Sequence, residues 1–186
     1  LRENVVKLAR MIGYTPKSAR SARTTVNISV QTVFPYPKSV TMAAGLVLNF
    51  TGLDNNNFVF SIPTDITQSV DSLTGIAAFN DTVLYEGLYL TDTFVKNTAE
   101  RQRFILTNDR VDTTSMIVQV TSGTVTEKYL QATDITKIDA NSKVYFLEES
   151  EYQIPEILFG DGVVGKKLEN GDVVTVKYTT SGGTGA

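Results

Sequence analysis

Apolar and polar residues alternate along most of this chain, and only its first dozen residues depart from that rhythm. Val26-Asn-Ile28-Ser-Val30-Gln-Thr-Val33 places apolar side chains at every second position, the pattern of a strand with one face buried. Further strands are expected at Gly45–Phe50, Phe58–Ile62, Gly75–Phe79, Thr82–Glu86, Gly87–Phe94, Arg103–Leu106, Ser115–Val120, Thr124–Leu130, Lys143–Glu148 and Val173–Tyr178. Turn-forming clusters separate them: Asp54-Asn-Asn-Asn57, Asn80-Asp81, Asn108-Asp109, Ser122-Gly123 and Asp139-Ala-Asn141. By contrast Val5, Leu8 and Ile12, flanked by Leu1 and Ala9, recur at helical spacing. Glu3 precedes Lys7 by one helical turn, Gly13 suits the position after a helix, and Pro16 stops it. The expected fold is mainly β: short antiparallel strands in one or two small sandwich- or barrel-like modules, with a short N-terminal helix.

The domain organisation expected from this pattern is a helix and linker over 1–22, a β-rich module over 23–98, a second over 99–180, and a Gly-rich tail over 181–186. The seam is placed where Lys96–Gln102 is charged and poorly periodic. In an alternative organisation the last strands pair with Val26–Val33 and the middle is an insertion. The first residue, Leu1, falls within a helical pattern and the last ones, Ser181–Ala186, read as a connector, so a fragment of a longer protein is expected.

At 186 residues the chain can bury a core without covalent staples. Cysteine, histidine and tryptophan are all absent. Thiolate metal sites, disulfides, Ser-His or Cys-His nucleophiles and the usual zinc chemistry are thereby excluded, leaving carboxylate, Lys or Tyr chemistry. No apolar run reaches the ~20 residues of a membrane span. Charge is uneven. Arg2, Lys7, Arg10, Lys17, Arg20 and Arg23 face Glu3 alone in the first 23 residues, whereas the whole chain nets −3. With only Tyr14 nearby for stacking, this end suits a solvated face or an acidic protein partner better than nucleic acid.

Four stretches carry candidate chemistry. Gly160-x-Gly162-x-x-Gly165 matches the dinucleotide fingerprint, and Gly165-Lys166 ends a near P-loop in which Lys167 replaces the Mg²⁺-binding Ser or Thr. Such motifs need a helix to follow, yet Asn170-Gly171-Asp172 signals a turn within a few residues. The reading is therefore a strand ending at Ile157-Leu-Phe159, glycine bends, and Val173–Tyr178 running back as its hairpin partner. Glu148, Glu149, Glu151 and Glu156 read as an acidic turn between strands rather than a hydrolytic pair, since neighbours on a strand point to opposite faces. Asp54-Asn-Asn-Asn57 offers oxygen ligands but fails the calcium-loop pattern at Phe58 and Asp65. Arg101, Arg103 and Arg110 surround Phe104-Ile-Leu106, with Arg101 and Arg103 expected on the strand face away from the core. No catalytic, cofactor-binding or metal-binding residue is expected.

Several phrases recur in a familiar order: Val5-x-x-Leu8-Ala9-x-x-Ile12-Gly13-Tyr14-x-Pro16, Tyr85-Glu86-Gly87, Gln102-Arg103-Phe104, Asp112-Thr113-Thr114 with Val118-Gln119-Val120, Val144-Tyr-Phe146, Phe159-Gly160-Asp161-Gly162 with Gly165-Lys166, and Gly171-Asp172-Val173. As a series they resemble the baseplate J-like wedge proteins of contractile-tailed bacteriophages, of the type seen in the large wedge subunit of T-even-like myoviruses. The likeness covers nearly the whole chain, which would be part of that longer subunit. It implies a structural virion protein of the tail baseplate, assembled in the bacterial host cytoplasm, whose partners are other wedge proteins and copies of itself. It implies no enzyme activity, cofactor, small-molecule substrate, nucleic acid or membrane span. The competing readings are a carbohydrate- or receptor-binding β-module of a tail fibre or adhesin, and a carboxylate-dependent hydrolase using Glu148 and Glu156.

Overall fold

A computed structural model of the chain describes residues 18–51, 57–97, 102–150 and 154–182. The expected helix over residues 1–12 lies outside them. Among the described residues thirteen strands follow in order: β1 (Arg23–Gln31), β2 (Ser39–Met42), β3 (Gly45–Thr51), β4 (Asn57–Ile62), β5 (Ile66–Ser69), β6 (Ile76–Glu86), β7 (Tyr89–Val95), β8 (Phe104–Ile105), β9 (Val111–Ser122), β10 (Val125–Gln131), β11 (Val144–Glu149), β12 (Pro155–Phe159) and β13 (Val173–Thr180). With 59% of the described residues in strands, and only a 3-10 turn at Ile135–Lys137 as helical structure among them, the fold is mainly β as expected.

The strands form a half-barrel sheet in the order β1-β6-β4-β3, a nearly closed seven-stranded barrel-like sheet in the order β7-β13-β9-β10-β11-β12-β8, and a separate β2-β5 pair. Packing divides the chain into two compact units, one of residues 1–19 and 91–177, the other of residues 20–90 and 178–186. Strands β7 and β13 contribute residues to both. Strand β1 neighbours β6, and β13 lies between β7 and β9, so the first and last strands are not partners.

In the unit built from residues 91–177, alternation along β13 sends Val174 and Val176 into the interior, both fully buried. Val118, Val120 and Ile157 join them from β9 and β12. An edge-on aromatic series, Phe94–Phe104–Phe159–Tyr129, runs through this core with successive ring centroids 5.6, 5.5 and 5.4 Å apart. Rings in that geometry contribute beyond the area they bury. Strand β12 is buried at all five positions, which explains why Ile157-Leu-Phe159 shows no alternation.

Two departures from expectation concern connectivity. Strand β12 pairs with β11 and β8, and β13 lies between β7 and β9, so the hairpin expected between residues 157–159 and 173–178 does not form. The glycines do bend the chain, but the loop carries it across to other neighbours. In the other unit, Asn80-Asp81 is not a turn between two strands. It is a bulge within β6, where Asp81 adopts a φ of 51°, its amide donates to Asn27 Oδ1 at 2.8 Å, and the β1 register shifts between Val26 and Ile28. Ala77, Phe79 and Leu84 on either side of the bulge all remain buried. Beside the end of β6, Gly87 packs so closely that a Cβ there would sit 1.5 Å from the Thr180 carbonyl oxygen.

Candidate functional site

The loop after β12 holds the dinucleotide-like glycines, and its geometry is that of a crossing, not a cradle. Gly160 bridges to Lys167, and a Cβ on Gly160 would lie 2.1 Å from the Gly165 carbonyl oxygen. Gly165 itself has φ +86°, a backbone region that disfavours other residues. The Gly162 amide donates to the Gly165 carbonyl at 3.1 Å. Gly165 and Lys166 donate to the Asp139 and Ser142 carbonyls at 2.9 and 2.8 Å. An anion site needs free amides at a helix start. Here Asp161 Oδ1 accepts from the amides of Val163 and Val164 at 2.9 and 3.0 Å, and no helix follows. The Asn170-Gly171 turn forms as expected, with the Glu169 amide donating to Asp172 Oδ2 at 2.9 Å. It leads into β13 beside Lys96, whose amide donates to the Asp172 carbonyl at 2.8 Å.

The described acidic residues lie in two paired antiparallel strands, on either side of the connection between them. Glu148 and Glu149 end β11, Glu156 lies within β12 and Glu151 falls outside the described residues. Register sets Glu148 directly opposite Glu156. Only Glu148 is exposed; the Glu156 side chain is wholly shielded from water. Arg103 clamps it. The guanidinium Nε donates to Glu156 Oε2 at 2.9 Å and Nη2 donates to Oε1, a two-pronged pairing of the strongest hydrogen-bonding kind. This corrects the expectation that Arg103 points away from the core: its side chain is 56% exposed, yet its head reaches a fully buried carboxylate. With both oxygens of Glu156 engaged and out of solvent, Glu148 and Glu156 do not face one another across an open cleft. Sequence reading missed this pair. The available signal was one carboxylate inside the apolar run Ile154-Pro-Glu-Ile-Leu-Phe159, because a buried acid needs a cation.

Elsewhere Asp112 is buried at the start of β9, and its Oδ1 accepts from the Thr114 amide and hydroxyl at 2.9 and 2.6 Å. Glu127 accepts from Lys143 and Lys166 at 2.6 and 3.3 Å, and these bonds hold its carboxyl below the ordinary value. Burial pushes the Tyr129 and Tyr145 hydroxyls up to about 12. The Asp54–Asn56 part of the calcium-like loop, Arg101, and most of the basic N-terminal segment lie outside the described residues. Of that segment, Arg23 stacks its guanidinium 4.8 Å from the Tyr85 ring centroid. Among the described residues no group of three or more acidic side chains is placed to hold a metal, and no helix is long and apolar enough to cross a membrane.

Two apolar surfaces remain in the unit of residues 20–90. One is a tip where Val33, Phe34 and Leu73 are 86%, 79% and 89% exposed. The tip is held by Thr32 and Gln31 bonding to the Gly75 and Thr74 carbonyls, and by Phe34 set edge-on to Tyr36. The other is the outer edge of β3. Comparison of the sequence with protein-family models and with curated proteins gave no match to either.

Proposed function

We propose that this chain is a structural part of a phage tail baseplate wedge, mediating contacts between subunits around the tail hub and rearranging with them when the sheath contracts. What supports this reading is where the phrases that resemble baseplate J-like proteins fall. Glu86-Gly87 is the close approach to Thr180, and Glu86 accepts the Gly182 amide at 3.1 and 3.2 Å. Arg103 clamps Glu156, Asp112–Thr114 shapes the start of β9, Gly160–Gly165 is the backbone crossing, and Gly171-Asp172 is the turn into β13. Among the described residues these phrases are joints of the fold: turns, a crossing and a clamp. Side chains spent on joints suit a part whose work is to keep its shape under load. The proposed partners are other wedge proteins and copies of this chain, in the virion tail after assembly in the host cytoplasm. Electron microscopy of tailed particles, with this chain located by a labelled antibody, tests the reading. Label on the baseplate is expected; particles with intact baseplates and no label overturn it.

The exposed Phe34 at the apolar tip favours a second reading, a carbohydrate- or receptor-binding module of a tail fibre or adhesin. A glycan array separates the two, since specific binding abolished by Phe34→Ala belongs only to the second.

A further inference from the structure

Strand β3 ends the four-stranded sheet, and among the described residues no strand pairs with its outer edge. Register sets Leu48 opposite Phe60 and Phe50 opposite Phe58 on β4. Directly opposed residues of antiparallel strands share a sheet face. The four side chains therefore form one apolar strip, in which Leu48 is 43% and Phe50 54% exposed while Phe58 and Phe60 are half-buried. Neither β3 nor β4 contains a charged residue or a proline. Monomeric proteins usually blunt an end strand with Lys, Pro or a bulge. The one irregularity of β3, between Leu46 and Leu48, leaves Leu48–Thr51 regular.

We infer that β3 is the surface through which two copies of this chain pair, strand against strand about a two-fold axis, joining two four-stranded sheets into one of eight. The strand is self-complementary in one register. With Asn49 on the axis, Leu48 of each copy lies opposite Phe50 of the other, and Val47 lies opposite Thr51. The apolar strip then continues across the junction on one face, and Asn49 meets its own copy on the other. Because no charge occurs in β3 or β4, self-pairing brings no like charges together. The unpaired backbone groups supply the hydrogen bonds, and alternate side chains supply the match. This deepens the assembly reading by naming a surface, but it is argued from the edge strand alone.

Sedimentation of the full chain tests it. A dimer is expected at about 100 µM or below, with Phe50→Lys weakening association by at least about tenfold while the far-ultraviolet circular dichroism is unchanged. Thr51→Lys, at an exposed position, repeats the test if the first variant fails to fold. Since the chain has no cysteine, Asn49→Cys provides a single reporter. Oxidation should link it to its own copy, whereas Thr51→Cys should not link. A monomer at about 100 µM, a dimer indifferent to the lysine variants, or a dimer in which Asn49→Cys does not cross-link each overturns the pairing. A monomer whose label still decorates tail particles overturns the pairing and leaves the wedge reading standing.

Discussion

Replacing Arg103 by alanine strands a carboxylate that water does not reach. The Glu156 side chain is 0% exposed and its recorded partner is the Arg103 guanidinium, itself 56% exposed. Breaking a fully buried pair costs about 3–5 kcal/mol, because the remaining ion has no solvent to return to. Half-exposure of Arg103 means part of its attraction is already screened, which puts Arg103→Ala near the lower bound, about 3 kcal/mol. Glu156→Met behaves differently. It fills the same volume with apolar atoms and lets the guanidinium return to water, so its cost should be within about 1 kcal/mol. The double variant should resemble Glu156→Met, making it more stable than Arg103→Ala by about 2 kcal/mol. Urea unfolding followed by tyrosine fluorescence and circular dichroism reads these values. With a slope of about 2 kcal/mol per molar, Arg103→Ala should lower the midpoint by about 1.5 M. An Arg103→Ala midpoint within about 0.2 M of the parent would refute the reasoning. A double variant no more stable than Arg103→Ala would do the same.

Gly160→Ala drives a Cβ into the Gly165 carbonyl, so the loop must open, at a cost of about 2–3 kcal/mol; Val163→Ala beside it, 73% exposed, should cost under about 0.5 kcal/mol by the same denaturation. Tyr129 and Tyr145, both held protonated by burial up to about 12 against 10.0 for a free tyrosine, should stay un-ionised past pH 10.0 in a near-ultraviolet base titration. Their folded values are raised, so the stability they contribute is complete below pH 10.0 and lost as pH climbs towards about 12; an unfolding midpoint flat across that window counts against it. Glu127 is the opposite case: hydrogen bonds from Lys143 and Lys166 lower its carboxyl, so its contribution is present above the ordinary value of 4.5 and fades as pH falls through the folded value. Protection of the amides in residues 160–167, relative to the unfolded chain at the same pH, should fall in acid, and Glu127→Gln should remove that fall.

Periodicity exposed the elements that bury one face and concealed those that bury two or none. The alternation survives in the structure as half-buried against exposed positions along most of β1 and as buried against half-buried positions over the first six residues of β13. Strands β2 and β5 were not anticipated. Ser39–Met42 and Ile66–Ser69 are four residues each, pair only with one another, and have no buried position. Asn80-Asp81 spelled a turn, and the same left-handed backbone was used for a bulge, since the sequence states a dihedral preference but not the number of partner strands passing it. The path of the chain after Phe159 was hidden for a related reason. Glycines announce that the backbone bends, while the destination depends on residues far away, such as Asp139 and Ser142, whose carbonyls receive the Gly165 and Lys166 amides. Of the candidate chemistry, the failed nucleotide motifs were legible because a turn follows them too soon. The Arg103–Glu156 clamp was not, because its halves are 53 residues apart.

The division of the chain bears on its order of manufacture. Residues 20–90 belong with residues 178–182, where Ser21 bonds to Thr179, the Leu88 carbonyl receives the Thr180 amide, and Glu86 receives Gly182. A ribosome releases the first of these segments long before it has made the second. The early half-barrel therefore waits, incompletely closed, while the other unit's strands emerge, and only the final stretch seals it. Residues 20–90 expressed alone should stay protease-sensitive, and supplying the late segment as a separate peptide should protect them.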